Sequence, residues 1–450
     1  KIIIPFFTAM KRTLILTALL LPALLPAGAQ QPWSLEKCIR HAIDNNLTLR
    51  QQEAARQQSE VELNTARWSR LPQVSADAGY SFHFGRSLQA NNTYQSVNTQ
   101  NTSMNLGTSV PLFTGMQIPN NIALARLNLK AATEDLNKAR EDISIQVASA
   151  YLQVLFNEEL TDVARQQLEL SRLLLQQKEA FYNNGKASEA EWREAQARVA
   201  QDQLSAVQAD NNRQLALLDL SQLLELPSPD SLSVVAPEGD PQKYFSSIAA
   251  PAVVYNDALL NKPAIKAAQY RLEGADHSIR IAQSGYYPKL SLSAGLGTSY
   301  YNTSKGYSPA FGSQLRDNFS QYVGLQLSIP IFNRLATRNQ VRSARIQRFN
   351  LEWQLEDSKK KLYKEIQQAY YNAVGAAARY ESSVTADQAA EASFLLMKEK
   401  YNEGKANATE YNESRTGWMK AVSERIQAKY DYIFRTKILD FYRGIPLTLD

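Results

Sequence analysis

The stretch FYNNGKASEAEWREA at 181–195 recurs as KYNEGKANATEYNES at 400–414, and this repetition decides the fold. A second stretch repeats in step with it, because SVPLF at 109–113 returns as SIPIF at 328–332. Self-similarity at a long and fixed interval indicates one structural unit that is used more than once. The sequence therefore predicts two equivalent halves, each with a pair of short strands followed by very long helices.

The beginning of the chain has the features of a secretory signal peptide. A basic segment at Met10-Lys11-Arg12 precedes an apolar run that ends in Ala27-Gly28-Ala29, as an export signal with its cleavage site requires. No later segment reaches the roughly 20 apolar residues that a membrane-spanning helix needs. The predicted organisation is a signal peptide at 1–29, a first repeat at 30–227, a linker at 228–251 and a second repeat at 252–445.

Composition argues against several functional classes. The formal net charge is +5, with 49 basic and 44 acidic residues interspersed, so no basic patch indicates a nucleic-acid partner. The histidines at 41, 83 and 277 lie in different predicted elements without metal-ligand spacing, and we find no nucleophile or phosphate-loop motif. Cys38, the single cysteine, is predicted to lie on the buried face of a helix. We therefore expect no enzyme activity, no cofactor and no metal site.

The hydrophobic pattern changes after Pro72 and again after Pro288. Apolar residues there alternate with small or polar ones, and a period of two predicts β-strands. Two strands are expected in each half, joined by polar loops at 86–101 and 302–318. The apolar positions are Val74, Ala76, Ala78, Tyr80, Phe82 and Phe84; Met104, Leu106, Val110 and Leu112; Leu290, Leu292, Ala294 and Leu296; and Val323, Leu325, Leu327, Ile329 and Ile331.

Strands with one apolar face suit a half-buried sheet on a soluble core as well as a membrane. These strands have about the 9–11 residues that a tilted membrane strand needs. Four strands cannot enclose a lumen, because the narrowest barrels use about eight. An open sheet edge in lipid would leave backbone groups unpaired at a cost of several kcal/mol each. We therefore expect several copies to share one barrel, and three copies would supply twelve strands. Candidate interfacial aromatic residues are Tyr80, Phe82, Phe84, Tyr300 and Tyr301.

The predicted helices are longer than a globular domain needs. Neither Gly nor Pro occurs between Asn120 and Asn184, so an unbroken helix there would extend about 100 Å at 1.5 Å per residue. A glycine at 185 or 404 is expected to end each long helix, and Ser188 or Asn407 to cap the returning helix. Apolar residues recur every seven positions in a seam of coiled-coil type, which a soluble helical bundle would also use. This seam consists of Ile122, Leu129, Leu136, Ile143 and Ala150.

With these features in place, the chain resembles the TolC family of bacterial outer-membrane efflux proteins over nearly its whole length after the signal peptide. The resemblance implies a mainly α fold with a small β part: a trimeric outer-membrane β-barrel, four strands per chain, continuous with a long periplasmic α-helical barrel. It also implies that the tips dock on a periplasmic adaptor protein linked to an inner-membrane pump. The residues that carry it are Pro72, Pro111, Pro288 and Pro330 at the strand ends and Tyr182, Gly185, Tyr401 and Gly404 at the tips.

The resemblance also implies which residues form the working site. Carboxylates just after the second tip line the periplasmic entrance in the family, and Glu410 and Glu413 match those positions. Glu191 and Glu194 stand at the same offsets after the first tip. Acidic residues in the first turns of a helix also complement its dipole, which is a purely structural explanation of the four. The expected tip and adaptor-docking residues are Tyr182, Gly185, Lys186, Tyr401, Gly404 and Lys405, and Ala406 stands where some members use a gating arginine.

The sequence thus predicts an outer-membrane channel of a tripartite efflux system, embedded in outer-membrane lipid and extending into the periplasm. Tyr182 and Tyr401 serve either packing or gating in this interpretation. Two alternatives remain open. One is a type I protein-secretion duct, whose wall would look the same. The other is a non-conducting periplasmic coiled-coil scaffold whose short sheet packs on its own helices.

Overall fold

The computed structural model of the protein describes residues 32–88, 92–229, 232–235, 248–305 and 307–449. The predicted signal peptide at 1–29 and most of the predicted linker at 228–251 lie outside these described residues. Within them, two short helices, a pair of main strands and a long helical hairpin follow one another twice, as the repeated sequence predicts.

The first half contains two short helices, a strand pair and a long helical hairpin. Its first helix begins after Ser34, whose hydroxyl accepts a hydrogen bond from the Lys37 amide at 3.2 Å. Asn46 ends that helix and caps the next one, because its side chain accepts from the Thr48 amide at 2.9 Å. The elements are α1 (Leu35–Asn45), α2 (Leu47–Trp68), β1 (Gln73–His83), β2 (Arg86–Leu88), β3 (Tyr94–Ser96), β4 (Thr99–Phe113), α3 (Gln117–Asn183) and α4 (Glu189–Leu223).

The second half repeats this order, and its helices have nearly the same lengths as those of the first half. Ala42 and Ala258 are both fully buried in the opening helices, which have 11 residues each. The two longest helices have 67 residues each, and the two returning helices have 35 each. The elements are α5 (Pro251–Asn261), α6 (Pro263–Gln283), β5 (Lys289–Thr303), α7 (Phe311–Asp317), β6 (Ser320–Ser328), α8 (Ala336–Asn402) and α9 (Ala408–Tyr442).

One antiparallel sheet joins the two halves, with the strand order β1-β4-β5-β6. The halves meet at its centre, where Leu106 of β4 lies opposite Leu296 of β5. Because residues directly opposite each other project to the same face, this register collects the apolar residues of all four strands on one side. The predicted alternation is therefore confirmed. Two rows across the sheet are Val74, Thr108, Ala294 and Val323, and Val110, Leu292 and Leu325.

The last strand is shorter than its alternating pattern predicts. We expected it to continue through Ile329 and Ile331, but β6 ends at Ser328. Its partner β5 begins directly after Pro288, so Ser328 pairs with Lys289 and the following residues face no strand. Pro330 has no amide hydrogen to donate to a ladder. The predicted extension was therefore wrong, because the pattern continues past the end of the pairing partner.

The two segments predicted as loops contain secondary structure of their own. In the segment 86–101, β2 and β3 form a small hairpin, and the Arg86 guanidinium lies over the Tyr94 ring at 5.4 Å. In the segment 302–318, α7 holds Gln314 against the backbone of Tyr301, whose amide donates to Gln314 Oε1 at 3.0 Å. Polar side chains at the ends of the strands thus satisfy backbone groups that the sheet leaves unpaired.

The main hydrophobic core lies about midway along the long helices. It joins α1, α3, α4 and α9 through buried residues such as Val147, Leu220 and Ile433. Cys38 is fully buried in it, as predicted, and burial raises the pKa of its thiol to about 12. None of the helices in the described parts of the chain has an apolar stretch of the length that crosses a membrane.

Four helices below the sheet keep the order of the strands. Helix α2 packs on α3, α3 on α6 and α6 on α8, which repeats the order β1-β4-β5-β6. Arg271 of α6 forms an ion pair with Asp135 of α3, and Arg348 of α8 forms one with Asp276 of α6 at 2.7 Å. Each layer therefore has two outer elements: β1 and α2 on one side, and β6 and α8 on the other.

Candidate functional site

Both helical hairpins close with the same backbone turn. Gly185 and Gly404 adopt left-handed φ angles of 70° and 73°, which a glycine reaches without steric cost. The following lysine amides complete the turn: Lys186 N donates to Phe181 O at 2.8 Å, and Lys405 N donates to Lys400 O at 2.7 Å. These bonds satisfy carbonyls at the ends of α3 and α8, so the predicted glycine stop is confirmed at both tips.

The returning helices begin at the predicted caps. The Ser188 hydroxyl accepts from the Glu191 amide at 3.3 Å, and the Asn407 side chain accepts from the Glu410 amide at 2.9 Å. At the second tip the bond is reciprocated, because the Glu410 carboxylate accepts from the Asn407 amide at 3.0 Å. Glu410 therefore has a structural role as the partner in a capping box.

A stacked aromatic pair spans each turn. The rings of Tyr182 and Trp192 lie 5.2 Å apart at the first tip, and those of Tyr401 and Tyr411 lie 4.8 Å apart at the second. Each tyrosine thus packs against the first turns of the returning helix. At the second tip Phe394 lies beside this pair, with its ring centroid 5.7 Å from that of Tyr411 and the two rings tilted by 45°.

The first hairpin contacts the second tip through Lys178 of α3. Its ammonium lies 5.0 Å above the Tyr401 ring and 3.4 Å from the Glu191 carboxylate. Burial lowers the pKa of this ammonium, but its hydrogen bonds and charge interactions with Tyr401 and Glu191 outweigh burial, so the net pKa is raised. Lys178 therefore stays charged and bridges two residues that the sequence singled out separately.

The four predicted entrance glutamates do not form one cluster in a single chain. Glu194 accepts a hydrogen bond from the side-chain Nδ2 of Asn412 at 3.2 Å, so it joins Glu191 beside the second tip. Glu413 is exposed one turn after Glu410. A crevice of about 20 Å³ between the tips contains neither Glu410 nor Glu413 in its lining. It is lined by Leu174, Lys178, Glu191, Glu194, Ala195, Arg198, Tyr401, Ala408, Tyr411 and Asn412.

A comparison with known protein families decides the identity of the fold. The model of the outer membrane efflux protein family matches residues 38–225 and 254–439, one segment in each half. The chain belongs to this family. The two matched segments correspond to the two structural repeats, so the family's own pattern is duplicated here. Members of the family are channels and not enzymes, and this protein is an outer-membrane efflux channel that extends into the periplasm.

Curated relatives and solved structures give the same result. The outer membrane protein TolC of Escherichia coli is 25% identical over 415 residues, which cover 90% of this chain and 81% of that one. The alkaline protease secretion protein AprF of Pseudomonas aeruginosa is 21% identical over 313 residues, which cover 69% of this chain but only 63% of AprF. The crystal structure of the Campylobacter jejuni CmeC outer membrane channel superposes with a TM-score of 0.75 at 19% identity, covering 91% of this chain and 85% of that one. At 19% identity, the likeness to this structure shows the fold alone.

The efflux protein also has a buried charged cluster that the sequence interpretation missed. Arg415 of α9 is 1% exposed and Asp202 of α4 is 4% exposed, and Arg415 Nη2 lies 3.0 Å from Asp202 Oδ2. The same Nη2 donates to the Ser171 hydroxyl at 2.7 Å and to the Gln167 carbonyl at 3.0 Å, both on α3. We call these four residues the Arg415 cluster. It joins three helices about 16 Å beyond the second tip glycine, at 1.5 Å per residue.

One signal in the sequence points to the Arg415 cluster. Position 415 corresponds to Gln196 in the first half, and position 202 corresponds to Ala421 in the second. A charged residue at only one of two repeated positions is a departure from the repeat. Such departures mark places where the two halves have different neighbours.

In the described ranges, no group of three or more His, Cys, Asp or Glu residues has the arrangement of a metal site. The site at the tips consists instead of turns, stacked rings and ion pairs. Its chemistry is that of non-covalent contacts between helices.

Proposed function

We propose that three copies of this protein form the outer-membrane duct of a tripartite efflux system. In this assembly twelve strands close one barrel in the lipid, and the long helices continue it into the periplasm. The tips meet a periplasmic adaptor, and substrate arrives from an inner-membrane pump. The observation that carries this proposal is the four-stranded sheet, which has an exposed apolar face and two open edges.

The apolar face of the sheet is uncovered in one chain. Val323 is 78% exposed and Leu325 is 68% exposed, although both belong to the face that collects the apolar residues. Among the described helices, only the short α7 lies against the sheet to any extent. A periplasmic scaffold would need this face packed on its own helices, whereas lipid would cover it as it stands. The exposed face therefore favours the membrane channel over the scaffold.

The edges of the sheet favour a shared barrel. Within the described residues, β1 pairs only with β4 and β6 pairs only with β5, so each outer strand has one unpaired side. The strands alternate in direction across the sheet, so β6 of one copy and β1 of the next would be antiparallel, as every other neighbouring pair is. Closure in lipid removes both edges, because each unpaired backbone group there costs several kcal/mol.

The helices suggest how the copies meet. Helix α8 is the counterpart of α3, and α2 is the counterpart of α6, so α8 of one copy should pack on α2 of the next as α3 packs on α6. Both outer helices expose large apolar side chains in the single chain, and Trp353 is 72% exposed. These side chains are Val61 and Trp68 on α2, and Ile346, Phe349 and Trp353 on α8.

The internal interface supplies a template for individual contacts. Lys130 of α3 lies over the Tyr270 ring of α6 at 5.3 Å. Phe349 corresponds to Lys130, and Ala54 corresponds to Tyr270. A large side chain on α8 would thus meet a small one on α2 of the neighbouring copy. Phe349→Asp should therefore reduce the trimer fraction on size-exclusion chromatography in detergent, whereas Lys130→Ala, at the internal position, should leave it intact.

The entrance glutamates provide a test of conduction. In a trimer, Glu410 and Glu413 would occur three times around the entrance and favour cations, and the cap formed by Glu410 does not prevent this. The double variant Glu410→Ala/Glu413→Ala should have lower cation selectivity in planar bilayers than the wild-type channel. Glu424→Ala, farther along α9, is the matched control. If cation preference is unchanged in the double variant, these residues do not form the filter.

A protein-secretion duct is the second candidate, and the likeness to AprF favours it. The duct wall is the same for both roles, so the partners decide between them. Chemical cross-linking at the exposed Lys186 and Lys405, followed by purification from bacterial membranes and mass spectrometry, would identify the adaptor and the inner-membrane component. Recovery of a small-molecule pump supports efflux, and recovery of a protein exporter supports secretion.

A further inference from the structure

We propose that the Arg415 cluster is the contact that holds the second tip against the first hairpin and so sets the width of the periplasmic entrance. This inference rests on the proposed channel function. In it, Arg415 and Asp202 are positioning residues: they act on the entrance through the helices that they join.

On α3 and α9, the cluster marks the end of the buried positions before the tips. Ser171 is the last buried residue of α3 before the first tip, and Arg415 is the first buried residue of α9 after the second. Toward the tips, the two hairpins touch through more exposed contacts, such as the Asn412–Glu194 hydrogen bond at 3.2 Å. Toward the membrane, they share the hydrophobic core. The cluster is therefore a buried polar contact that an opening movement of the second tip would strain.

The chemistry of the cluster makes it sensitive to the loss of one partner. Asp202 accepts from Arg415 and from the Ser171 hydroxyl, and Arg198 Nε lies 3.4 Å from its other oxygen. Burial lowers the pKa of the Arg415 guanidinium, while the Asp202 carboxylate opposes that shift. Removing Asp202 leaves the Arg415 guanidinium buried without a carboxylate, and removing Arg415 leaves the buried Asp202 carboxylate with only the more distant Arg198. Both changes are unfavourable. The helices can relieve this by separating and admitting water.

Arg415 makes polar contacts with the first hairpin that the turn residues of the second tip do not make. Ala406 has no side chain that could make a polar contact across the entrance. The Gly404 turn and the Asn407 cap are satisfied within the second hairpin itself. Arg415 instead reaches into the first hairpin and binds both of its helices. This makes it the residue of α9 best placed to fix one hairpin relative to the other.

The test compares two readouts in the full-length protein. Cysteines introduced by Glu194→Cys and Asn412→Cys report the distance between the tips through cross-linking by a short bis-maleimide. The native Cys38 is fully buried and should stay silent. Single-channel conductance in planar bilayers reports the width of the entrance. Arg415→Ala should lose most of the cross-link and should raise the conductance.

Two further variants make the result specific. Lys420→Ala removes a charge from the same helix, but Lys420 is exposed and pairs only with Glu424 one turn away, so both readouts should match the wild type. Arg415→Met combined with Asp202→Leu replaces the ion pair by an apolar one, which should restore the cross-link and the low conductance. Asp202→Asn, which keeps the shape of the side chain, serves as a parallel test if Arg415→Ala yields little trimer.

The inference is overturned if Arg415→Ala and Asp202→Asn both keep the cross-link yield and the conductance of the Lys420→Ala control. A wild-type protein that does not conduct at all would instead contradict the channel function. The cross-link does not depend on conduction, so it would still decide whether the cluster holds the tips together.

Discussion

The two helical tips share a sequence and a turn, yet they have different surroundings. Gly185 and Gly404 adopt nearly the same left-handed conformation, and each tip has a stacked aromatic pair. At the first tip, Tyr182 is exposed and its stack ends at Trp192. At the second tip, Tyr401 also lies under the Lys178 ammonium, and Arg415 anchors the returning helix in the first hairpin.

This difference separates what a repeat encodes locally from what it gains by packing. The turn, the cap and the ring stack need only residues that are close in sequence, so duplication preserves them. Contacts between the hairpins require one partner from each half, and such contacts cannot be identical in both. The second tip is therefore the one whose position depends on the other hairpin.

The largest expected difference between the tips is at the repeated positions 415 and 196. Arg415→Ala should lower the free energy of unfolding by about 3 kcal/mol, the lower end of the range for breaking a buried ion pair, because the buried Asp202 carboxylate keeps only Arg198 at 3.4 Å. Gln196→Ala, at an exposed position, should change it by less than about 0.5 kcal/mol. Thermal unfolding of the detergent-solubilised protein, followed by circular dichroism, measures both. Equal effects would remove the proposed asymmetry.

A smaller difference is expected for the stacked tyrosines. Tyr401→Ala loses a ring stack and a cation–π contact, together worth about 2 kcal/mol, whereas Tyr182→Ala loses about 1 kcal/mol of stacking. Trypsin can cut after Lys186 and Lys405 in the exposed turns, and cleavage tracks local opening. Tyr401→Ala should accelerate cleavage at the second tip more than Tyr182→Ala accelerates it at the first. The reverse order would mean that the contact with Lys178 adds no stability.

The smallest difference is expected for the helix caps. Asn407→Ala removes a capping box and should cost about 1 kcal/mol, whereas Ser188→Ala removes a single 3.3 Å bond and should cost about 0.5 kcal/mol. Hydrogen exchange of the first-turn amides in α4 and α9 can resolve such local changes. Protection should fall more in α9. Equal losses would show that the reciprocal bond from Glu410 contributes little.

Much of the fold could be predicted because its signals are local and occur twice. The period of two placed the strands, the absence of Gly and Pro predicted the unbroken α3, and Gly185 and Gly404 marked the turns. The end of β6 could not be predicted from its own pattern, because Ile329 and Ile331 continue the alternation without a partner strand. Strand pairing depends on two segments, whereas a hydrophobic period describes only the segment in which it occurs.

The candidate site was less predictable for the same reason. The resemblance pointed to Glu191, Glu194, Glu410 and Glu413, and their role in ion selection stays a prediction. Arg415 and Asp202 lie 213 positions apart in the chain, so no local pattern links them. The mismatch with their repeat counterparts was visible in the sequence. The contacts that the mismatched residues make depend on which helices lie side by side, and the sequence alone does not specify that.

The most direct test of the account is the number of copies in the detergent-extracted protein. Native mass spectrometry measures this number without any assumption about activity. The open edges of β1 and β6 predict a complex of three chains, which releases monomers only when the sheet is disrupted. A stable, water-soluble monomer obtained without detergent would contradict the shared barrel and, with it, the channel.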